Sequence, residues 1–327
     1  MKAVIVGAVE SSRVAIEAIA RARDWSLALV LTLPPELAYR HDDYVDLAPA
    51  AAENGAQIHY VSNVNSDDSL QAIRAVDADA VFVIGWSQIC GESFRAACKD
   101  HVVGFHPSPL PRLRGRAVIP WTILNAEPIS AGTLFWIDGG VDTGPIIAQH
   151  FFHIADYETA TTLYNKHMLA LGLVLDEALP RFADGTAPRI AQDDRFATWA
   201  AKRTYADGVI DWSQPAAEIE RLIRAIGKPY AGAWCFDGPA LLTLWSADVI
   251  GAPGKHSAAA GTVVSRNERI FSILCGDGRQ LSVTEFMSEH GRPPRLHSQL
   301  RTGPWVEPTE IQTAERSKAA QVQLRHA

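Results

Sequence analysis

The chain has 327 residues, enough for two modest domains, and 47% of them are hydrophobic, which excludes an intrinsically disordered protein. Its net charge of −7 counts against a dominant nucleic-acid surface, which is normally basic, although Arg112, Arg114 and Arg116 form one local cationic run. Four scattered cysteines (Cys90, Cys98, Cys235 and Cys275) have neither metal-ligand nor disulfide-framework spacing and read as small buried thiols.

"KAVIVGA" at residues 2–8 is a short β-branched run ending in glycine, and predicts a buried first strand. It is too short for a signal peptide, and no 18-residue apolar run follows. With the scarce cysteines, this leads us to expect a cytoplasmic protein with no membrane partner. "SSRVAIEAIARARD" (11–24) has helical periodicity, with Ser11 and Ser12 as the expected N-cap. "SLALVLTL" predicts a second strand. "LAPAAAENGA" predicts a helix ending at Asn54–Gly55, "QIHYVS" a third strand, "DDSLQAIRAVD" a helix and "ADAVFVIGW" a fourth strand. Strands alternating with helices imply an α/β fold: a Rossmann-like, mostly parallel sheet with helices on both faces. The first turn, "GAVESS", lacks G-x-G-x-x-G, so the topology comes without the dinucleotide fingerprint.

In such sheets ligands gather beyond the carboxyl ends of the strands. Two stretches there stand out. One is "IGWSQI" (84–89), where Trp86 either packs or offers its surroundings to a flat heterocycle. The other is "GFHPSPLPRLRGR" (104–116), read as an irregular loop because proline lacks an N–H and fixes φ. Rigid flanking prolines would aim His106, which is either structural or an acid–base group. "AVIPWTILNA" is helical. "SAGTLFWIDGGVDTGPIIAQHFFHI" reads as two extended runs joined by a turn, in which Asp142 either bonds its own backbone or orients the imidazole. A long amphipathic helix follows at 159–185. Composition shifts over 190–208, after which a strand, a helix and several short alternating runs predict a small β-barrel-like domain. We therefore expect domains at 1–190 and 205–302, with a polar tail over 303–327.

"FHPSPLPRLRGRAVIPW" together with "AGTLFWIDGGVDTGPIIAQ" resembles the 10-formyltetrahydrofolate-dependent formyltransferase family, over about residues 1–190. "DGVIDWSQPAAEIERLIRAIGKPYAGAW" is similar to the start of the OB-like C-terminal domain of its tRNA-formylating members. The resemblance implies His106 and Asp142 as catalytic residues and 10-formyltetrahydrofolate as cosubstrate, with no metal. It implies a folate pocket lined by Ile84, Gly85, Trp86, Ser87, Gln88 and Ile89, by Ser108, Pro109, Leu110, Pro111 and Arg116, and by Asp138, Gly139, Gly140 and Val141. The family carries an asparagine two residues before its histidine, whose amide helps hold the oxyanion; this chain has Gly104 there. Gln88, Ser108 or an amide freed by Gly104 are candidate replacements; an asparagine restored at 104 is expected to raise activity if the site is degraded, and to crowd Phe105 and lower it if the site is rebuilt around glycine.

Three readings of the acceptor compete. The first is the amine of a nucleotide-linked amino sugar, for which the resemblance includes "HYVSNVNSDD" and the long segment 36–49. The second is methionyl-tRNA, favoured by the C-terminal domain and weakened by the acidic balance. The third is a silent homologue that binds folate or a nucleotide, supported by Gly104 alone. A homodimer is compatible with each.

Overall fold

The computed structural model describes residues 1–303 apart from 42, 99, 100, 253 and 255. The expected tail therefore lies outside the described residues, save Gly303. The chain packs as two units, Met1–Arg203 and Thr204 onward. Residues 191–203, placed between the domains in the sequence reading, belong with the first.

The first unit is built on β1 (Lys2–Val6), β2 (Ser26–Thr32), β3 (Gln57–Tyr60), β4 (Ala80–Val83), β5 (Val102–His106), β7 (Ile129–Trp136) and β8 (Ile146–His153). They form one sheet in the order β3-β2-β1-β4-β5-β7-β8. The first five are parallel; β7 runs against β5, and β8 against β7. The expected mostly parallel α/β sheet is therefore present, with its strand order reversing between β1 and β4. Loops leaving those two strands and the adjacent β5 are where this topology places ligands. A two-stranded piece, β6 (Arg114–Gly115) with β9 (Trp199–Ala200), stands apart from the main sheet.

Buried strands need apolar side chains on both faces, and β1 and β4 supply them: Val4, Ile5, Val6, Val81 and Phe82 are wholly buried. Helices α1 (Glu10–Arg21), α2 (Ala48–Glu53), α3 (Asp67–Ala75), α4 (Glu92–Ala97), α5 (Val118–Leu124) and α6 (Ala160–Ala183) connect and cover the strands. Edge-to-face aromatics tie α6 to the sheet, with Phe182 5.9 Å from Phe82 and 5.2 Å from Trp136. Such pairs add about 0.5–1.5 kcal/mol each beyond their buried area.

Three local expectations change. Ser11 and Ser12 lie inside α1, whose cap is Val9. Ser12 Oγ instead donates to the carbonyl of Ile84 at 2.6 Å, holding the first turn against the end of β4. Residues 104–106 are strand rather than loop; the irregular stretch begins at Pro107. The strand expected near residue 209 is a single bridge, Val209 to Trp234.

The second unit has α7 (Ala216–Ala225) and β10 (Ala233–Asp237), β11 (Ala240–Ile250), β12 (Val263–Arg266), β13 (Phe271–Leu274), β14 (Gln280–Ser288) and β15 (Leu300–Arg301). These strands form one antiparallel sheet in the order β12-β13-β14-β11-β10-β15, a half-barrel consistent with the expected OB-like module. All four cysteines are buried and none is in a disulfide, and burial pushes the Cys90 and Cys275 thiols up to about 12, which leaves both protonated. Among the described residues no helix is long and apolar enough to cross a membrane.

Candidate active site

His106 is the last residue of β5 and is almost wholly buried. Its Nε2 lies 2.7 Å from the carbonyl oxygen of Leu113. A carbonyl only accepts, so Nε2 carries the hydrogen and Nδ1 is the nitrogen left to gain or lose a proton. Nδ1 faces Asp142 Oδ2 at 3.6 Å, within ion-pair range and too far for a hydrogen bond. The same Asp142 oxygen accepts from the Gly115 N–H at 2.8 Å.

Cross-strand pairing explains how the imidazole is seated. His106 lies opposite Thr133 on β7, and Thr133 lies opposite Gln149 on β8. Thr133 Oγ1 donates to Ser108 O at 2.6 Å, and Gln149 Nε2 donates to Leu110 O at 2.9 Å. The sheet thus grips the carbonyls of the proline-rich loop just beyond His106. Ser108 Oγ closes the loop onto Arg112 O at 2.7 Å, and Leu113 N–H donates to Thr198 Oγ1 at 2.8 Å.

Gly104 shares a face of β5 with His106, because side chains alternate along a strand. Directly across sits Phe135, and a Cβ added at Gly104 would lie 2.7 Å from its Cζ and 3.1 Å from Ile137 Cγ1. The room an asparagine side chain would need is filled by that ring. Phe105 points the other way, packing over Gly132, so the crowding expected there falls on Phe135 and Ile137 instead. The named replacement donors are otherwise engaged. The Ser108 hydroxyl is spent on Arg112. Gln88 turns to the neighbouring loop, accepting from Val64 N–H and donating to Ser62 O, both at 2.8 Å. Gly104 itself lies in the ladder between β4 and β7.

Asp142 has φ of 54°, a left-handed conformation that costs a non-glycine residue about 1–2 kcal/mol. Its turn is braced by Asp138, whose Oδ1 accepts from Gly140 N–H at 2.9 Å and Thr143 Oγ1 at 2.7 Å. Gly139, Gly140 and Val141 are exposed at the tip. In the 84–89 segment, Ile84 is buried, Gly85 takes φ of 74°, and Ser87 and Ile89 are exposed. Trp86 and Ile137 are both half-buried against the same apolar cluster. Arg95, which the sequence reading did not single out, approaches the turn: Nη1 donates to Cys90 O at 2.8 Å, and Nη2 is 3.8 Å from where a Gly139 Cβ would be. Pro109 and Pro111 are half-buried, Leu110 is buried, and the Arg116 side chain is exposed while its N–H donates to Ala200 O.

A second histidine, His167 on α6, is wholly buried with no hydrogen-bond partner on either nitrogen, its ring edge-on to Phe152 at 5.0 Å. Burial, helped by the field of His106, pushes its pKa down to about 3, so it stays neutral at working pH.

A doubly wound sheet carrying an imidazole–carboxylate pair at its carboxyl edge has the architecture of an acid–base group-transfer enzyme. The chain belongs to the formyl transferase family: residues 4–175 match its N-terminal domain and residues 202–302 its C-terminal domain. It is an enzyme that transfers formyl groups. Its fold is shared with WlaRD, a sugar 3N-formyl transferase crystallised in the presence of dTDP and 5-N-formyl-THF (TM-score 0.65, 19% identity, 90% of this chain and 99% of that one). It is likewise shared with an N-formyltransferase from Helicobacter canadensis in complex with folinic acid and dTDP-3-aminofucose (TM-score 0.61, 19% identity, 87% and 99%). HypX from Aquifex aeolicus in complex with tetrahydrofolic acid also superposes (TM-score 0.61, 17% identity, 88% of this chain and 44% of HypX). At these identities the likeness is one of fold.

Proposed function

We propose that this enzyme moves the formyl group of 10-formyltetrahydrofolate to the primary amine of a nucleotide-linked amino sugar. The observation that carries the chemistry is the placement of His106 Nδ1 and Asp142 Oδ2 side by side, 3.6 Å apart. The amine attacks the formyl carbon and gives a tetrahedral oxyanion. His106, protonated on Nδ1, stabilises that charge and then gives its proton to N10 as the carbon–N10 bond breaks. Asp142 takes the proton the amine loses and returns it to Nδ1, which resets the pair. With Phe135 where an amide donor would project, the charged imidazole carries a larger share of oxyanion stabilisation. The folate would lie along the 84–89 segment and the 138–142 turn, with Arg116 exposed to meet a carboxylate.

Two features support the acceptor. WlaRD and the Helicobacter canadensis enzyme, described with dTDP and with dTDP-3-aminofucose, match this chain over 99% of their own lengths. The C-terminal unit, in turn, lacks the cation excess a tRNA surface needs: over 204–303 Lys and Arg equal Asp and Glu in number. Several of its cations also face carboxylates, Arg221 with Glu218, Arg224 with Glu220 and Lys228 with Glu285. The discriminating experiment offers 10-formyltetrahydrofolate with a panel of dTDP- and UDP-amino sugars and, separately, with methionyl-tRNA. Formylation of a nucleotide-sugar amine at millimolar or lower KM is expected. Efficient formylation of methionyl-tRNA, lost on deleting residues 205–327, would replace the sugar acceptor with the tRNA.

A further inference from the structure

Arg114 has the largest side chain among the fully buried of the described residues, and its charge lies beside neither of the groups assigned to the chemistry. Burying a guanidinium is costly unless its donors are satisfied. Its Nε and Nη2 both donate to Gln192 Oε1, at 3.1 and 2.7 Å. Nη2 also reaches Asp194 Oδ1 at 2.8 Å, and the guanidinium sits 5.6 Å from the centre of the Trp199 ring.

The orientation of Gln192 follows from this without ambiguity. A guanidinium can only donate, so the amide oxygen must face it and the NH2 must face the other way. There the NH2 meets two carbonyls, Asp142 O at 2.9 Å and Gly144 O at 2.7 Å. A flipped amide would set NH2 against guanidinium and oxygen against two oxygens. Gln192 is thus a rigid bridge from a buried cation to the backbone on which the Asp142 carboxylate is mounted. That backbone is left-handed at Asp142 and persists only where its surroundings hold it. The residue after Arg114 completes the grip: Gly115 N–H holds Asp142 Oδ2, and Gly115 can take φ of 111° with Ala200 O 2.4 Å from its missing Cβ.

We infer that Arg114 and Gln192 are a positioning pair that fixes the Asp142 carboxylate against His106. The pair touches neither substrate nor reacting atoms. Its effect on turnover rests on the role given to Asp142 above, whereas its effect on the turn does not.

The test uses the full chain and two readouts. Gln192→Met removes the bridge without adding charge. Amide exchange of Gly115, followed by NMR, is expected to quicken by roughly tenfold or more as its acceptor swings away, approaching the exchange in Asp142→Ala. The Arg116 amide, bonded to Ala200 O, should keep its protection, which separates a loosened turn from a loosened β6–β9 pair. In kinetics kcat should fall by on the order of 10², the scale of a misplacement of about 1 Å, with KM for the folate donor unchanged. In an Asp142→Ala background the same change should cost nothing further. Where Gln192→Met does not fold, Gln192→Asn keeps a neutral amide for Arg114 but is too short to span to both carbonyls, and the same results are expected. Arg114→Lys keeps the charge and loses the forked grip, and should give the same loss in smaller degree. Unchanged Gly115 protection in Gln192→Met, or a cost that simply adds to that of Asp142→Ala, overturns the inference. Faster Gly115 exchange with unchanged kcat upholds the positioning and instead removes Asp142 from the chemistry.

Discussion

Restoring an asparagine at residue 104 should damage this enzyme rather than improve it. The perturbation adds a Cβ 2.7 Å from Phe135 Cζ and 2.8 Å from Cε1, distances at which something must move. Phe135 is buried against Leu110 and Ile146, so its ring has little room to yield. Overpacking of this kind costs about 1–3 kcal/mol. The asparagine amide would also enter an apolar setting of Phe135 and Ile137, and an unsatisfied buried amide costs about 1–3 kcal/mol more. Gly104→Asn should therefore lose roughly 2–6 kcal/mol in urea unfolding, while Gly104→Ala, which adds crowding without polarity, should lose about 1–3. His106 lies two residues along the same face, so formyl transfer should fall with stability. Trimming the ring in Gly104→Asn/Phe135→Ala should recover part of the activity. A Gly104→Asn protein as stable as the wild type and faster in folate release would refute the reasoning, because it would mean that the face is not closed by Phe135.

The other expectations concern His167 and Arg116. The pKa of His167 is pushed from 6.5 down to about 3 by burial, so below pH 6.5 the unfolded chain binds a proton that the folded one refuses. Stability from this site is whole above pH 6.5 and falls as pH drops towards 3. Between pH 7 and pH 5 the loss is roughly 2 kcal/mol, which His167→Leu should abolish in paired denaturant titrations; parallel losses in the two proteins would contradict it. Arg116→Ala should weaken folate binding in calorimetry with little effect on melting temperature, since the side chain is exposed and its backbone bond to Ala200 remains. Unchanged affinity would move the pocket away from that side of the loop.

The parallel sheet was legible because β1, β2 and β4 are short, almost continuous apolar runs, and α6 because its periodicity is long. β5 was not, because Gly104 and His106 interrupt a five-residue run that leads straight into prolines. Its place in the sheet is decided by β4 and β7 on either side, which no local pattern records. Ser11 and Ser12 looked like a cap, but tertiary packing on Ile84 claimed Ser12. His106 and Asp142 were legible as a histidine and a turn aspartate near strand ends. What holds them was not: Gln192 lies 78 residues from Arg114, and the segment is brought back by long-range contacts such as the pairing of β6 with β9 and the bridge from Ile146 to Ile190. Hydropathy carries no trace of such a contact, since Arg114 reads as one more surface cation in a basic run.

The most direct measurement is single-turnover transfer of labelled formyl from 10-formyltetrahydrofolate to a dTDP-amino sugar, by the wild type and by His106→Ala, with folding checked in both. Transfer to the sugar amine by the wild type is expected, slowed by about 10²–10⁴ when the imidazole is removed. A His106→Ala protein within threefold of the wild type would contradict the assignment of His106 as the acid–base group.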